Sequence, residues 1–285
     1  MATHHRAAVF AAVVWFIVAV ALAADREPVS EVPIPNTGSR KSTTSGQSDE
    51  GLSTNQQTRW RLEFKRQYDE QGTPNETTKS ILRLEALPAG LISLVRLEVL
   101  FPDEESDFGG NAFAPRLGDT KLRVKRESLQ VANVPLSPFV DAWFPTANPK
   151  SRGQGKYQVG PGIETSLPLT SISLWSSHHA LTFEPLLQQV VSVAGDASFK
   201  DINYTRFEFG IRDIWREAYY LKLTIKPVLD WEQDGYSGGV AELEGGFNPY
   251  RGWKFGLLLG RRLWGPANIP TTYEDRLELT VWRTF

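Results

Sequence analysis

The sequence predicts an all-β fold: a single transmembrane antiparallel up-and-down β-barrel of about twelve strands, preceded by a signal peptide and a disordered linker. Three observations carry that reading. From Thr58 to the C-terminus, polar and apolar residues alternate with period 2 in run after run. That is the pattern of strands with one oily face and one polar face. The connections between runs, taken alternately, divide into polar glycine-rich stretches and shorter turns. The large aromatics collect at the ends of the runs rather than in their middles, where amphipathic rings at two lipid–water interfaces would place them.

Composition narrows the field. The 31 Lys and Arg nearly balance the 33 Asp and Glu, so no nucleic-acid footprint is visible. Beyond the N-terminal region no apolar run is long enough for a membrane-spanning helix. Barrel strands alternate and escape that test. The chain has 0 Cys, which removes disulfides, cysteine metal sites, cysteine catalysis and a lipoprotein anchor together. No cofactor or metal is expected.

Residues 1–23 read as a secretory signal peptide. His4, His5 and Arg6 precede an apolar run from Ala7 to Leu22, and Ala21-Leu22-Ala23 is a small-x-small cleavage site. Residues 24–57 are rich in Ser, Thr, Gly, Gln, Asn and Pro, with almost no large apolar residue. Such a segment cannot bury enough surface to offset its ordering entropy, so it reads as a disordered periplasmic linker. A plug folding into the barrel is the alternative.

Residues 58–285 carry the barrel. Arg61, Glu63 and Lys65 interleave with Trp60, Leu62 and Phe64. Arg83 and Glu85 interleave with Leu82 and Leu84, then Arg96 and Glu98 with Val95, Leu97 and Val99. Asp119, Lys121, Arg123 and Lys125 face away from Leu122 and Val124. Further strands are expected over 138–144, 156–167, 181–193, 203–213, 218–229, 236–245 and 252–261, followed by the terminal strand. Glu184-Pro185 interrupts the seventh, where a proline withdraws a ladder donor. Pro88–Gly90 and Asn248–Arg251 are tight turns of the periplasmic kind, whereas Glu127–Ser137 and Pro168–Ala180 are long for that side. Trp60, Trp215, Tyr219, Tyr220, Tyr250, Trp253, Trp282 and Phe285 would form one aromatic girdle. Tyr68, Phe101, Phe144, Tyr157, Tyr204, Trp231, Tyr236 and Tyr273 would form the other.

In the terminal strand, Leu277, Leu279, Val281 and Phe285 share one parity, and Arg276, Glu278, Thr280 and Trp282 the other. A strand ending on a terminal Phe resembles the C-terminal signal by which bacterial outer-membrane barrels are recognised for assembly. Arg283 stands where that pattern favours an apolar residue. The resemblance implies Phe285 as the assembly signal, the barrel assembly machinery as a partner, and outer-membrane lipids as the surroundings.

No catalytic set is expected. Ser176-Ser177-His178-His179 is the only Ser/His cluster, and neighbours on a strand point to opposite faces. Gly153-Gln154-Gly155-Lys156 lacks the upstream Gly and the following Ser or Thr of a phosphate loop. The informative residues are the charges of inward parity: Arg61, Glu63, Arg83, Glu85, Arg96, Glu98, Lys121, Arg123, Asp141, Glu164, Arg206, Glu208, Arg276 and Glu278. Many follow an Arg-x-Glu rhythm. They read either as opposite charges that close a lumen or as a polar path that orients a solute. Arg123, Asp141 and Glu164, on three successive strands, point inward close enough to form a charged constriction, and the loop 145–155 above them either caps its hairpin or folds inward to narrow the pore.

Two segments resemble a known family. Gly118-Asp119-Thr120, in the run Pro115 to Arg123, is similar to the strand opening of the outer-membrane transporters grouped with the MetA pathway of phenol degradation. Phe144-Pro145-Thr146-Ala147-Asn148-Pro149, followed by Gly153-x-Gly155 and Gly160-Pro161-Gly162, resembles that family's Pro-Thr-Gly loop and glycine-rich strand, with Ala147 in place of the loop glycine. The resemblance implies a bacterial outer-membrane barrel and uptake of small solutes, aromatic or other hydrophobic ones among them. It brings no catalytic residues. A structural or adhesive barrel with a closed lumen is the alternative, and a lipid-modifying outer-membrane enzyme a third. Solute and oligomeric state stay open.

Overall fold

The computed structural model describes residues 58–70, 77–88, 90–103, 117–169, 179–215, 218–250, 252–266 and 268–285. The expected signal peptide and linker lie outside the described residues, as do Ser176, Ser177 and His178. Twelve long strands follow one another: β1 Arg59–Asp69, β2 Thr77–Leu87, β3 Ile92–Pro102, β4 Thr120–Arg126, β5 Val134–Phe144 and β6 Lys156–Thr165, then β7 His179–Gly195, β8 Asn203–Trp215, β9 Tyr219–Asp230, β10 Tyr236–Tyr250, β11 Trp253–Trp264 and β12 Asp275–Thr284. Each pairs antiparallel with its neighbours in sequence. β12 then pairs with β1, from Arg61 opposite Thr284 to Asp69 opposite Arg276, and the sheet closes with no free edge. Both ends of the described chain lie at one end of the barrel, where the Phe285 N–H donates to the Trp60 carbonyl at 2.8 Å. We call this the proximal end and the other the distal end.

The wall has the polarity of a barrel made for lipid. Leu62, Phe64, Leu82, Leu84, Leu257 and Leu279 are exposed on the outside, while Glu63, Glu85, Asp141, Gln188, Glu242 and Glu278 are buried within. Because side chains alternate, each strand supplies both surfaces at once. The expected facing of the terminal strand is therefore the one found.

Two details that looked irregular in the sequence have physical reasons. Glu127–Ser137 is not a long turn: Leu129–Val131 pairs with Val134–Leu136, and Ala132 and Asn133, with φ of 49 and 67, form a two-residue hairpin turn. Pro185 lies within β7 without breaking it. The pairing with β6 ends at Glu164 opposite Leu186, and a short piece resumes with Leu167 opposite Phe183, so Pro185 falls in the gap between the two ladders.

The girdles form only in part. Trp60, Tyr219, Trp253 and Phe285 are exposed near the proximal end, and Phe144, Tyr157, Trp231 and Tyr236 near the distal end. Four other rings face inward instead. Tyr220 donates to Glu244 at 2.7 Å and packs on Trp282, and Tyr204 and Tyr273 are buried. Period-2 parity puts Tyr220 with Lys222 and Trp282 with Thr280 on the inner face.

Candidate functional site

The inner face is organised by one consequence of antiparallel pairing. The same Arg-x-Glu pair, written upward on β1, downward on β2 and upward on β3, becomes complementary across each ladder. Arg61 stands opposite Glu85 and Glu63 opposite Arg83; Arg83 also faces Glu98, and Glu85 also faces Arg96. Glu85 thus serves two cations and Arg83 two carboxylates. Arg83 reaches Glu63 at 2.6 Å and Glu98 at 2.5 Å, while Glu85 accepts from Arg96 at 2.5 Å and also pairs with Arg61.

The network continues round the wall. Asp141 on β5 accepts from Arg123 at 2.6 and 2.8 Å, from Lys121 at 2.9 Å and from Gln188 at 2.9 Å. Gln188 takes the Arg206 guanidinium at 2.7 Å. Arg206 lies 3.5 Å from Glu208, and Lys226 joins Glu208 at 4.0 Å to Glu242 at 2.5 Å. Arg276 then links Glu242 at 3.9 Å to Asp69 at 2.7 Å. Between β12 and β1, Lys65 lies 2.5 Å from Glu278 and 3.5 Å from Glu63. β11 contributes two glycines to this face, between Lys254, Leu258 and Arg262. A Cβ on Gly260 would lie 2.3 Å from the Tyr273 hydroxyl, and one on Gly256 2.9 Å from that of Tyr220. The two tyrosines lie over those glycines.

Arg123, Asp141 and Glu164 are brought together, with Glu164 3.8 Å from Arg123 and 3.0 Å from Lys125. The loop above them is tied down by Asp119, which shares the inward parity of Lys121 and Arg123. Asp119 accepts from the Gln154 N–H at 2.6 Å and the Ala147 N–H at 3.3 Å. Thr146 accepts from the Thr120 N–H at 3.0 Å and donates to the Gly118 carbonyl at 3.1 Å. The Asn148 N–H donates to the Leu117 carbonyl at 2.8 Å, and the Arg152 guanidinium to the Asp103 carbonyl at 3.2 Å. The Gly-Asp-Thr and Pro-Thr-Ala segments are thus two halves of one latch on the distal rim. A Cβ on Gly153 would sit 2.3 Å from the Asp119 carboxylate, so a glycine is needed there. Asp119→Ala is expected to orphan two backbone donors and cost about 1–3 kcal/mol. Faster proteolysis within 145–155, with the barrel still folded, is the readout; unchanged cleavage would show that the latch does not hold the loop.

The loop that does enter the lumen is the one between β11 and β12. Ile269 is buried in a cluster with Val190, Tyr204 and Val228, which face inward from β7, β8 and β9. It also lies against Gly238 on β10, where a Cβ would be 3.0 Å from it. An apolar plug therefore sits at the distal mouth above the charged ring.

Several residues of this site escaped the sequence reading. Asp69, Lys226 and Glu242 share the inward parity and could have been found by it, and Lys65 was placed on the polar face of β1 but not in the site; Gln188, Tyr220 and Tyr273 carry no charge to flag them. At the proximal end His179 lies 2.9 Å from the Asp213 carboxylate and stacks on Trp215. The rest of the Ser/His cluster falls outside the described residues. Among the described residues, no group of His, Asp or Glu is arranged to hold a metal ion.

No family model matches the chain, and no curated protein matches it. Solved structures do. An outer membrane channel from Pseudomonas putida F1 is similar with a TM-score of 0.55 at 14% identity, over 80% of this chain and 95% of that one. The NanC porin gives 0.54 at 9% identity, over 79% and 98%. The KdgM porin, in complex with disordered oligogalacturonate, gives 0.53 at 8% identity, over 79% and 99%. At such identities the likeness is one of fold: this chain folds as outer-membrane channel barrels do. The grouping with the MetA pathway rests on the sequence motifs alone.

Proposed function

We propose that the chain is a bacterial outer-membrane barrel that passes small solutes without energy input. In this reading the signal peptide of residues 1–23 exports it, residues 24–57 lie in the periplasm, and the proximal end faces that side. The observation that carries the proposal is the inverted polarity of a closed wall, apolar outside and charged within. The shared fold of the porins supports it. Strand number bounds the lumen between filled small barrels and wide porins, so the solutes are small. The aromatic or hydrophobic cargo rests on the family resemblance alone, since the mid-lumen is lined by charge.

The protein should fractionate with outer membranes, show heat-modifiable gel mobility, and admit ions or small solutes when reconstituted. Recovery from the soluble periplasm would end the reading. Phe285 is proposed as the signal read by the barrel assembly machinery. Its ring stands at the proximal rim with the Arg283 guanidinium 4.9 Å away. Phe285→Ala is expected to lower the amount of assembled barrel with synthesis unchanged; equal assembly would leave the terminal aromatic without that role.

One observation favours a structural or adhesive barrel as the second reading. The apolar plug and the ion-pair circuit both occupy the lumen, and Glu85 and Asp141 have no solvent-exposed surface. A folded barrel that conducts nothing would favour it. The enzyme reading has least support, since the solved structures that share this fold are channels and porins.

A further inference from the structure

The circuit of charges has an asymmetry that pairing alone does not require. Its carboxylates lie against the wall and its cations stand in front of them. Glu85 and Asp141 expose 0% of their side-chain surface and Glu242 5%. Their partners expose far more: Arg61 28%, Lys226 25% and Lys121 15%. Chain length explains the layering. Aspartate and glutamate are too short to leave the wall, whereas lysine and arginine arch over them on long stems and present their charged heads to the lumen. Arg123 is the exception among the cations, buried beside Asp141 and lying over the Phe139 ring at 4.2 Å. Three acids depart from the layering: Glu164, Glu208 and Glu184 are as open as their partners Lys125, Arg206 and Lys222.

We infer that the lumen selects small anions, carboxylates or phosphate, over cations and neutral solutes. The inference rests on the channel reading above and gives it a solute class. An ion in the lumen interacts with the charges nearest to it, and those are ammonium and guanidinium groups offering hydrogen-bond donors. Rings of Arg and Lys are the means by which pores favour anions. The carboxylates behind fix the cations in place and hold their field below what would trap an anion permanently.

Two variants separate layering from net charge. Lys121→Gln removes an exposed cation and leaves Asp141 with Arg123 and Gln188, so the wall keeps its pairing. Lys65→Gln/Glu278→Gln removes one cation and one acid together, and Glu63 keeps Arg83. Purified barrel is reconstituted in planar bilayers under a potassium chloride gradient, with heat-modifiable mobility confirming that each variant is folded. The expected reversal potential has the sign of chloride preference and moves toward zero in both variants. Bi-ionic exchange of chloride for acetate or inorganic phosphate then shows which anion permeates best. Conduction with potassium preference, or with no preference, overturns the inference and leaves the channel reading standing. A double variant as selective as the wild type overturns the layering. A folded barrel that passes no ion at all overturns the channel reading, and this inference with it.

Discussion

Replacing Asp141 by Leu is expected to lower the unfolding free energy of the barrel by about 3–5 kcal/mol, the cost of breaking a buried pair from one side. Asp141 is the point where four polar contacts converge, from both arms of Arg123, from Lys121 and from Gln188. Without it, Lys121 and Arg123 remain side by side on one face of β4, two like charges left with Glu98 opposite Lys121 and Glu164 3.8 Å from Arg123. Gln188 also loses an acceptor, though it keeps the Gly160 carbonyl at 2.9 Å. Removing the whole group should behave differently. Lys121→Met/Arg123→Met/Asp141→Leu exchanges the ion pairs for packing and is expected to lie close to the wild type, because a buried network replaced as a unit is often neutral. Urea titration of the reconstituted barrel, followed by tryptophan fluorescence, measures both. A single variant within about 1 kcal/mol of the wild type would mean that water or lumen ions already compensate Arg123, and that the circuit is weaker than its geometry.

The parity of these residues was legible in the sequence because a strand has a period of two and no other freedom. Once Leu279 is assigned to the outside, Glu278 has only the inside. The pairing of Arg-x-Glu was legible for the same reason: reversal of direction at each hairpin converts a repeated dipeptide rhythm into complementary neighbours. All twelve strands are where alternation put them, including β7, in which Pro185 argued against continuity. Strand ends were less legible. β5 begins at Val134 rather than near Pro138, because a hairpin turn through Ala132 and Asn133 asks only for positive φ, and the alanine gave no signal of it.

Loop direction was not legible at all. Pro145–Gly155 has the composition of a bend with no set direction, and Asp119, through the Gln154 and Ala147 N–H groups, decides where it is held. Ile269 is one apolar residue in a polar connection, flanked by Asn268 and Pro270. Nothing local says that it reaches the inner faces of four strands far away in sequence. Such contacts are decided by where β7 to β10 bring Val190, Tyr204, Val228 and Gly238, which is a property of the closed wall. The inward tyrosines share this cause. Tyr220 and Tyr273 lie over Gly256 and Gly260 because β11 leaves space there, and space is invisible to a reading that follows one strand at a time.

The widest consequence concerns what surrounds the wall. Leu279 lies mid-strand on β12, 46% exposed, between Leu257 on β11 and Arg66 on β1. If water lay outside, Leu279→Arg would be an ordinary surface substitution, within about 0.5 kcal/mol of neutral. If hydrocarbon lies outside, the same change is expected to cost about 2–4 kcal/mol near the midplane. The neighbouring Arg66 shows what an outward arginine needs on this face: it is held by Asp103 and by the Ser80 hydroxyl at 2.8 Å. Those two groups are already taken, and a second guanidinium at 279 would stand beside the first with no acid of its own. Folding into phospholipid vesicles under urea reads the difference directly. A loss of 2–4 kcal/mol places β12 in the bilayer, and a change below about 0.5 kcal/mol would require the apolar outer surface to be covered by something other than lipid.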